Sequence, residues 1–197
     1  MLDLIKAVVL ATEAHTGQYR TPTKVFLVNE HTLSNHEITK LQQNNGTDFS
    51  ICKEDGEYSM NTYLELFIAE PYINHPLAVM NMMTTEEEKI VAVLHDVFED
   101  NKDLYINFDS IDSTIVYNDN EYFIPIDLAE ALNRLTKPKG ISYNAYIENI
   151  WSWTILSGNT LAAKVKLADI IHNLSGSPSD HARQKYMKAI PLLLNSL

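Results

Sequence analysis

Cysteine is almost absent from this chain. Cys52 is the only one, so no disulfide can close within the chain and a thiolate metal cage is excluded, a pattern that fits a reducing compartment. Basic residues are scarce as well: 15 Lys and Arg stand against 26 Asp and Glu, a net charge of −11. That surplus disfavours nucleic-acid polymers and anionic membranes as partners, and a small anionic substrate would need local cations. Long hydrophobic runs are missing too, with no stretch of about 18 apolar residues to span a bilayer. The start, "MLDLIKAVVLATEAH", breaks its short apolar run with Asp3, Lys6 and Glu13 and lacks the basic start and cleavage pattern of a signal peptide. A cytoplasmic protein is expected. There is neither an internal repeat nor a low-complexity tract.

What is present suits a globular domain. Of 197 residues, 45% are hydrophobic and 21% charged, and roughly two-thirds of the unfolded surface can be buried at this size. Helical spacing of Leu4, Ile5, Val8, Val9, Thr12 and His15 predicts an amphipathic helix over residues 2–18. Residues 21–70 are polar and mixed, with β-like "KVFLV" and "DFSICKEDGEYSM", the latter turning at Asp55-Gly56. They read as an insertion. Helix resumes in "PYINHPLAVMNMM", with Pro76 in its first turn, and in "TTEEEKIVAVLHDVFED", where Thr85 and Glu88 form a capping-box pattern. A second short hairpin is expected at 113–124, around Asn118-Asp119-Asn120. Four further helices follow: "DLAEALNRLTK", "SYNAYIENIWSWTIL" after Ser142, "TLAAKVKLADIIHNL", and a last one with a kink or break near Pro191. The expected fold is all-α with small β-hairpin insertions.

Several polar residues sit on helix faces that should be buried. "VAVLHDVFEDN" places His95, Asp96, Glu99 and Asp100 among Val91, Val93, Leu94, Val97 and Phe98. His75 precedes the proline of its helix, and Asp169 lies inside Leu167, Ala168, Ile170 and Ile171, with Asn173 one turn later on the same side. Unpaired ionised groups in a low-dielectric interior are costly. Two imidazoles and two carboxylates are an ordinary ligand set for a divalent transition ion, which would compensate those charges and make hydroxide available near neutral pH. Glu99 and Asp100 would then orient the water and move protons. The alternative is a satisfied core histidine and an aspartate paired with Lys164 or Lys166.

In order along the chain, "AHTGQYR", "PYINHPLAV", "VAVLHDVFEDN", "LTK" and "KVKLADIIHNL" resemble the HD-domain metal-dependent phosphohydrolases. Within them the set resembles the hydrolase domain of the Rel/SpoT-type alarmone pyrophosphohydrolases and their small free-standing relatives, which remove the 3′-pyrophosphate of (p)ppGpp. The resemblance implies an all-α HD fold and one bound divalent ion, typically manganese. His75, His95, Asp96 and Asp169 match the metal ligands; Glu99 and Asp100 match the pair that activates water. Asn173 matches a nucleotide contact and Arg20 a residue at the base. The chain departs from that pattern at Thr21, where a second basic residue is common, and at Ser175-Gly176, where Arg-Thr is common. The metal set is complete while these substrate-facing positions differ.

Lys137, with Tyr143 and Tyr146 beyond it, is a further candidate for phosphate and base contacts. His15 and His172 read as packing residues, and His31, His36 and His181 as surface ones. Trp151 and Trp153 suggest core. The expected activity is a metal-dependent nucleotide phosphohydrolase of the (p)ppGpp 3′-pyrophosphohydrolase type. Another HD nucleotidase, acting on nucleoside mono- or triphosphates, and a non-catalytic nucleotide sensor are the alternatives. A nucleotide is the expected partner, with a homo-oligomer possible through residues 21–70, which otherwise read as a lid, a specificity wall or a plain surface excursion.

Overall fold

The computed structural model describes residues 1–20, 23–28, 63–68, 70–101, 103–108, 113–176 and 178–197, with Asp100 and the segments 23–28 and 63–68 described by their backbone. The chain divides into two compact units, Met1–Gln18 with Tyr72–Leu197, and Tyr19–Pro71. The first is mostly helical. Its helices are α1 (Leu4–Ala14), α2 (Asn74–Asn81), α3 (Glu86–Leu94), α4 (Val97–Asp100), α5 (Ile126–Leu135), α6 (Tyr143–Ser157), α7 (Leu161–Ser175) and α8 (Asp180–Leu194). No described helix is long and apolar enough to cross a membrane.

Local chemistry sets most of the boundaries. Asp3 caps α1 by accepting from the Lys6 amide, and Ser142 and Ser179 cap α6 and α8 in the same way. Both halves of the Thr85–Glu88 capping box form at the start of α3. Gly158 closes α6 with φ +73°, a left-handed conformation that glycine adopts without a Cβ penalty. Helix α8 runs through Pro191 to Leu194, so the expected break is not found there.

Helix α7 is the axis of this unit, packing against α2, α3, α5, α6 and α8. Small residues on its inner side, Ala162, Ala163 and Ala168, let neighbours approach closely, while Val165 and Ile170 fill the gaps. Helix α3 buries Ile90, Val91, Ala92, Val93 and Leu94, so the run into His95 is interior on nearly every side. Functional side chains at the end of α3 and the middle of α7 therefore start from fixed positions.

Among the described residues, the β content of this unit is one three-stranded antiparallel sheet of β3 (Leu104–Phe108), β4 (Ser113–Tyr117) and β5 (Asn120–Ile124). Tyr117 pairs with Asn120, leaving Asn118 and Asp119 as a two-residue turn with φ of 47° and 61°. That is the double left-handed geometry a tight hairpin requires. The expected hairpin at 113–124 is present. The third strand, β3, is an addition that sequence alone did not bring out.

In the second unit, β1 (Thr23–Val28) pairs antiparallel with β2 (Tyr63–Ile68), from Thr23 opposite Ile68 to Val28 opposite Tyr63. "KVFLV" is a strand as expected, but its partner is "YLELFI". The turn expected at Asp55-Gly56 lies outside the described residues.

Candidate metal centre

The sequence suggests one helix through "VAVLHDVFED"; the structure divides it. Helix α3 ends at Leu94 and α4 begins at Val97, with His95 and Asp96 between them, both still in right-handed helical φ/ψ. Across the break the Glu99 amide bonds back to the Asp96 carbonyl, at 3.3 Å. The interruption brings Asp96 Oδ1 to 3.1 Å from His95 Nε2. A regular helix would instead send consecutive side chains to different faces.

Three elements meet at this point. His75 from α2 is 2% exposed and His95 1%, and their rings stand edge to face with centroids 5.2 Å apart. Both present Nε2 to the same carboxylates. His75 Nε2 lies 3.0 Å from Asp169 Oδ1 and 3.4 Å from Asp96 Oδ2; His95 Nε2 lies 3.8 Å from Asp169 Oδ1. One ligand atom each from His75, His95 and Asp96 fall within 4.8 Å of one another, a group that could bind a metal ion. Asp169 stands directly against both imidazoles of that group.

Each donor is held from behind. His95 Nδ1 lies 2.7 Å from the Ala92 carbonyl, so that nitrogen carries a proton and Nε2 is the atom turned to the carboxylates, where it takes either a second proton or a metal. His75 Nδ1 is 2.8 Å from His172 Nδ1. The Tyr72 hydroxyl donates to Asp96 Oδ2 at 3.0 Å. Asn173 Nδ2 donates to Asp169 Oδ1 at 2.6 Å, and the Lys166 ammonium to Oδ2 at 2.7 Å. Outer contacts of this kind fix ligand orientation and raise basicity at metal sites.

The charge count leaves a deficit of positive charge. Asp96 and Asp169 contribute two negative charges against one from Lys166. Burial opposes protonation of His95, but Asp96 and Asp169 outweigh it and lift its pKa to about 10. Burial also opposes ionisation of Asp96 and Asp169, yet His95 holds the former, and Lys166 with both histidines the latter, well below the usual carboxylate range. The centre draws in a cation, either a proton on imidazole or a metal. His95 Nε2 itself is buried with no partner in hydrogen-bonding geometry among the described residues. His15 Nε2 is likewise buried without such a partner, so what sets His95 apart is the pair of carboxylates its Nε2 faces. Nitrogen and carboxylate donors without thiolate suit a first-row divalent ion.

The remaining expected residues fall in different places. Glu99 is exposed at the end of α4, and its Oε1 accepts from the Lys137 amide at 3.0 Å, bringing Lys137 to the same helix. For Asp100 only the backbone is described. Arg20 belongs to the second unit, where its amide donates to the Glu70 carbonyl at 2.9 Å. The aspartate–lysine pairing weighed above is present, as Lys166–Asp169, while Lys164 pairs with Glu88 at 2.7 Å.

Two residues have larger parts than sequence suggested. His172 supports His75 instead of merely packing, and Tyr72 reaches Asp96 although no spacing rule singles it out. His15 does hold a packing place: its Nδ1 is 2.8 Å from Gln18 Oε1, and its ring lies 4.8 Å from that of Tyr72. No protein-family model matches the chain, and no curated protein is significantly similar to it.

Proposed function

We propose that the chain is a metal-dependent nucleotide phosphohydrolase that releases the 3′-pyrophosphate of (p)ppGpp or a close relative, with manganese held by His75, His95, Asp96 and Asp169. The observation that carries this reading is the convergence of two buried imidazole Nε2 atoms on two carboxylates. The choice of substrate rests on the five ordered motifs. When bound, the ion supplies Lewis-acid polarisation of water and of the phosphoryl oxygens.

The side chains do the rest. Glu99 accepts a proton from the attacking water, its carboxylate kept in place by the Lys137 amide. A new P–O bond forms from that water as the bond to the 3′ oxygen breaks, and the proton taken by Glu99 passes to the departing 3′ oxygen. Asn173 and Lys166 keep Asp169 ionised and aimed during these steps. Lys137 meets the phosphate charge.

One observation favours a second substrate class, nucleoside mono- or triphosphates. Ser175 turns its hydroxyl back onto the His172 carbonyl at 2.7 Å and Gly176 has no side chain, so neither offers a cation at the end of α7. A panel of ppGpp, NTPs, dNTPs and monophosphates with manganese, scored separately for pyrophosphate and phosphate, separates the two. Pyrophosphate release from ppGpp alone is expected. Release of phosphate from monophosphates would favour the second class, and no turnover of any compound would overturn the enzymatic reading.

A further inference from the structure

Tyr72 is the residue at which the chain returns from the second unit to the first. Its amide donates to the Gln18 carbonyl at 2.9 Å, and its carbonyl accepts from the His75 amide at 3.0 Å. Its hydroxyl donates to Asp96 Oδ2 at 3.0 Å. Two of these bonds end on residues of the metal-binding group; the other ends on Gln18, the last residue before the second unit. The ring is packed as well, with the His15 ring 4.8 Å away and the His75 ring edge to face at 6.2 Å. His15 is itself buried and tied through Nδ1 to Gln18 Oε1 at 2.8 Å. Gly17, with φ +76°, makes the left-handed turn that leads from α1 to Gln18.

The pairing of Gln18 with Tyr72 continues along the chain into the second unit. Tyr19 bridges Pro71, the Arg20 amide donates to the Glu70 carbonyl at 2.9 Å, and β1 then pairs with β2. The root of a two-stranded ladder is therefore joined by one peptide bond to the residue that holds Asp96 and His75. Two strands alone are marginally stable, so fixing or loosening the root changes how often the ladder opens. Pro71 has its φ locked by its ring, which leaves little slack between the root and Tyr72. From the other side, Asp96 Oδ2 lies 3.0 Å from the Tyr72 hydroxyl and 3.4 Å from His75 Nε2. A cation that draws Asp96 and the imidazoles into a ligand set also fixes the acceptor of that hydroxyl.

We infer that Tyr72 is a positioning residue that couples the second unit to the metal centre. Seating an ion orders the root of the β1–β2 ladder. By reciprocity, a partner that distorts that root weakens the hold on the ion. This coupling rests on the metal centre of the reading above and is independent of the substrate.

Amide hydrogen exchange of the full chain, resolved to single amides by mass spectrometry, tests it. Wild type and Tyr72→Phe are compared, each chelator-stripped and manganese-saturated. The readout is the Arg20 amide, whose bond to Glu70 belongs wholly to the second unit. In wild type, manganese should slow exchange there by at least about fivefold. In Tyr72→Phe the ion should bind about 10–100-fold more weakly and, at saturation, leave Arg20 exchange unchanged. No slowing in a wild type that binds manganese, or equal slowing in the variant, would overturn the coupling. A wild type that binds no manganese refutes the metal centre, and the stripped proteins then decide the coupling. Loss of the hydroxyl bond to Asp96 is expected to speed Arg20 exchange by about threefold to tenfold; equal rates in the two stripped proteins would overturn it.

Discussion

Replacing His172 with phenylalanine keeps an aromatic ring but removes the nitrogen that lies 2.8 Å from His75 Nδ1. Two ring nitrogens at that distance share one proton. With a cation seated at His75 Nε2, the proton must sit on His75 Nδ1 and His172 must accept it. The variant leaves that N–H unpaired on a ring only 2% exposed, a cost of about 1–3 kcal/mol. It also frees His75 to rotate and to change tautomer. Loss of such an outer partner typically weakens metal binding by about 10–100-fold, equivalent to roughly 1.4–2.7 kcal/mol, so the two routes to the magnitude agree. Manganese titration of chelator-stripped protein, followed by the resonance of the free ion, measures it. His172→Gln, whose side-chain oxygen can accept, should recover part of the loss. Wild-type affinity in the phenylalanine variant would refute the reasoning, since His172 would then be packing alone.

Further outcomes follow from the same contacts. Glu99→Gln should lower kcat by about 10²–10⁴-fold in the ppGpp assay and leave manganese affinity intact, because in the proposed reaction Glu99 takes the proton of the attacking water and stands outside the ligand set. Lys166→Met removes the ammonium that donates to buried Asp169 and leaves only the imidazoles against it, so the metal-free protein should lose up to about 3–5 kcal/mol in urea unfolding, and saturating manganese should restore most of it. Glu88, held by Lys164 against the opposing effect of burial and assisted by Thr84 and Thr85, has its pKa lowered from 4.5 to about 2. The sign follows from that depression: the stabilisation is complete above the unfolded value and is lost as pH falls from about 4.5 toward 2. With Lys164 42% exposed, the contribution is discounted to about 1–2 kcal/mol, and Glu88→Gln should flatten the acid limb of the stability profile by that amount.

Much of the helical frame was legible because periodicity and capping are local. Thr85–Glu88, Ser142 and the turn at Asn118-Asp119 are written into a few neighbouring residues, and the structure bears them out. The strands β2 and β3 were not legible, because "YLELFI" and "LYINF" are short apolar runs that identify a strand only once a partner lies beside them. The break between Leu94 and Val97 escaped the sequence for a related reason. Propensity favours continuing the helix, and only the tertiary demand of His75 and Asp169 gives the interruption a purpose.

At the centre, residue types and spacing singled out His75, His95, Asp96 and Asp169, and the structure brings all four side chains together. Spacing could not show what stands behind them. Tyr72 and His172 meet their partners across long sequence separations. Arg20 was read from a motif whose last two residues, Tyr19 and Arg20, fall in the second unit.

The most direct test of the metal centre is equilibrium manganese binding to the chelator-stripped full chain, compared with a His95→Gln/Asp96→Asn double variant that leaves Lys166–Asp169 intact. One ion per chain in the wild type, and a loss of at least about a hundredfold in affinity in the double variant, is the expected result. No saturable binding, or binding unchanged by the double variant, would contradict it.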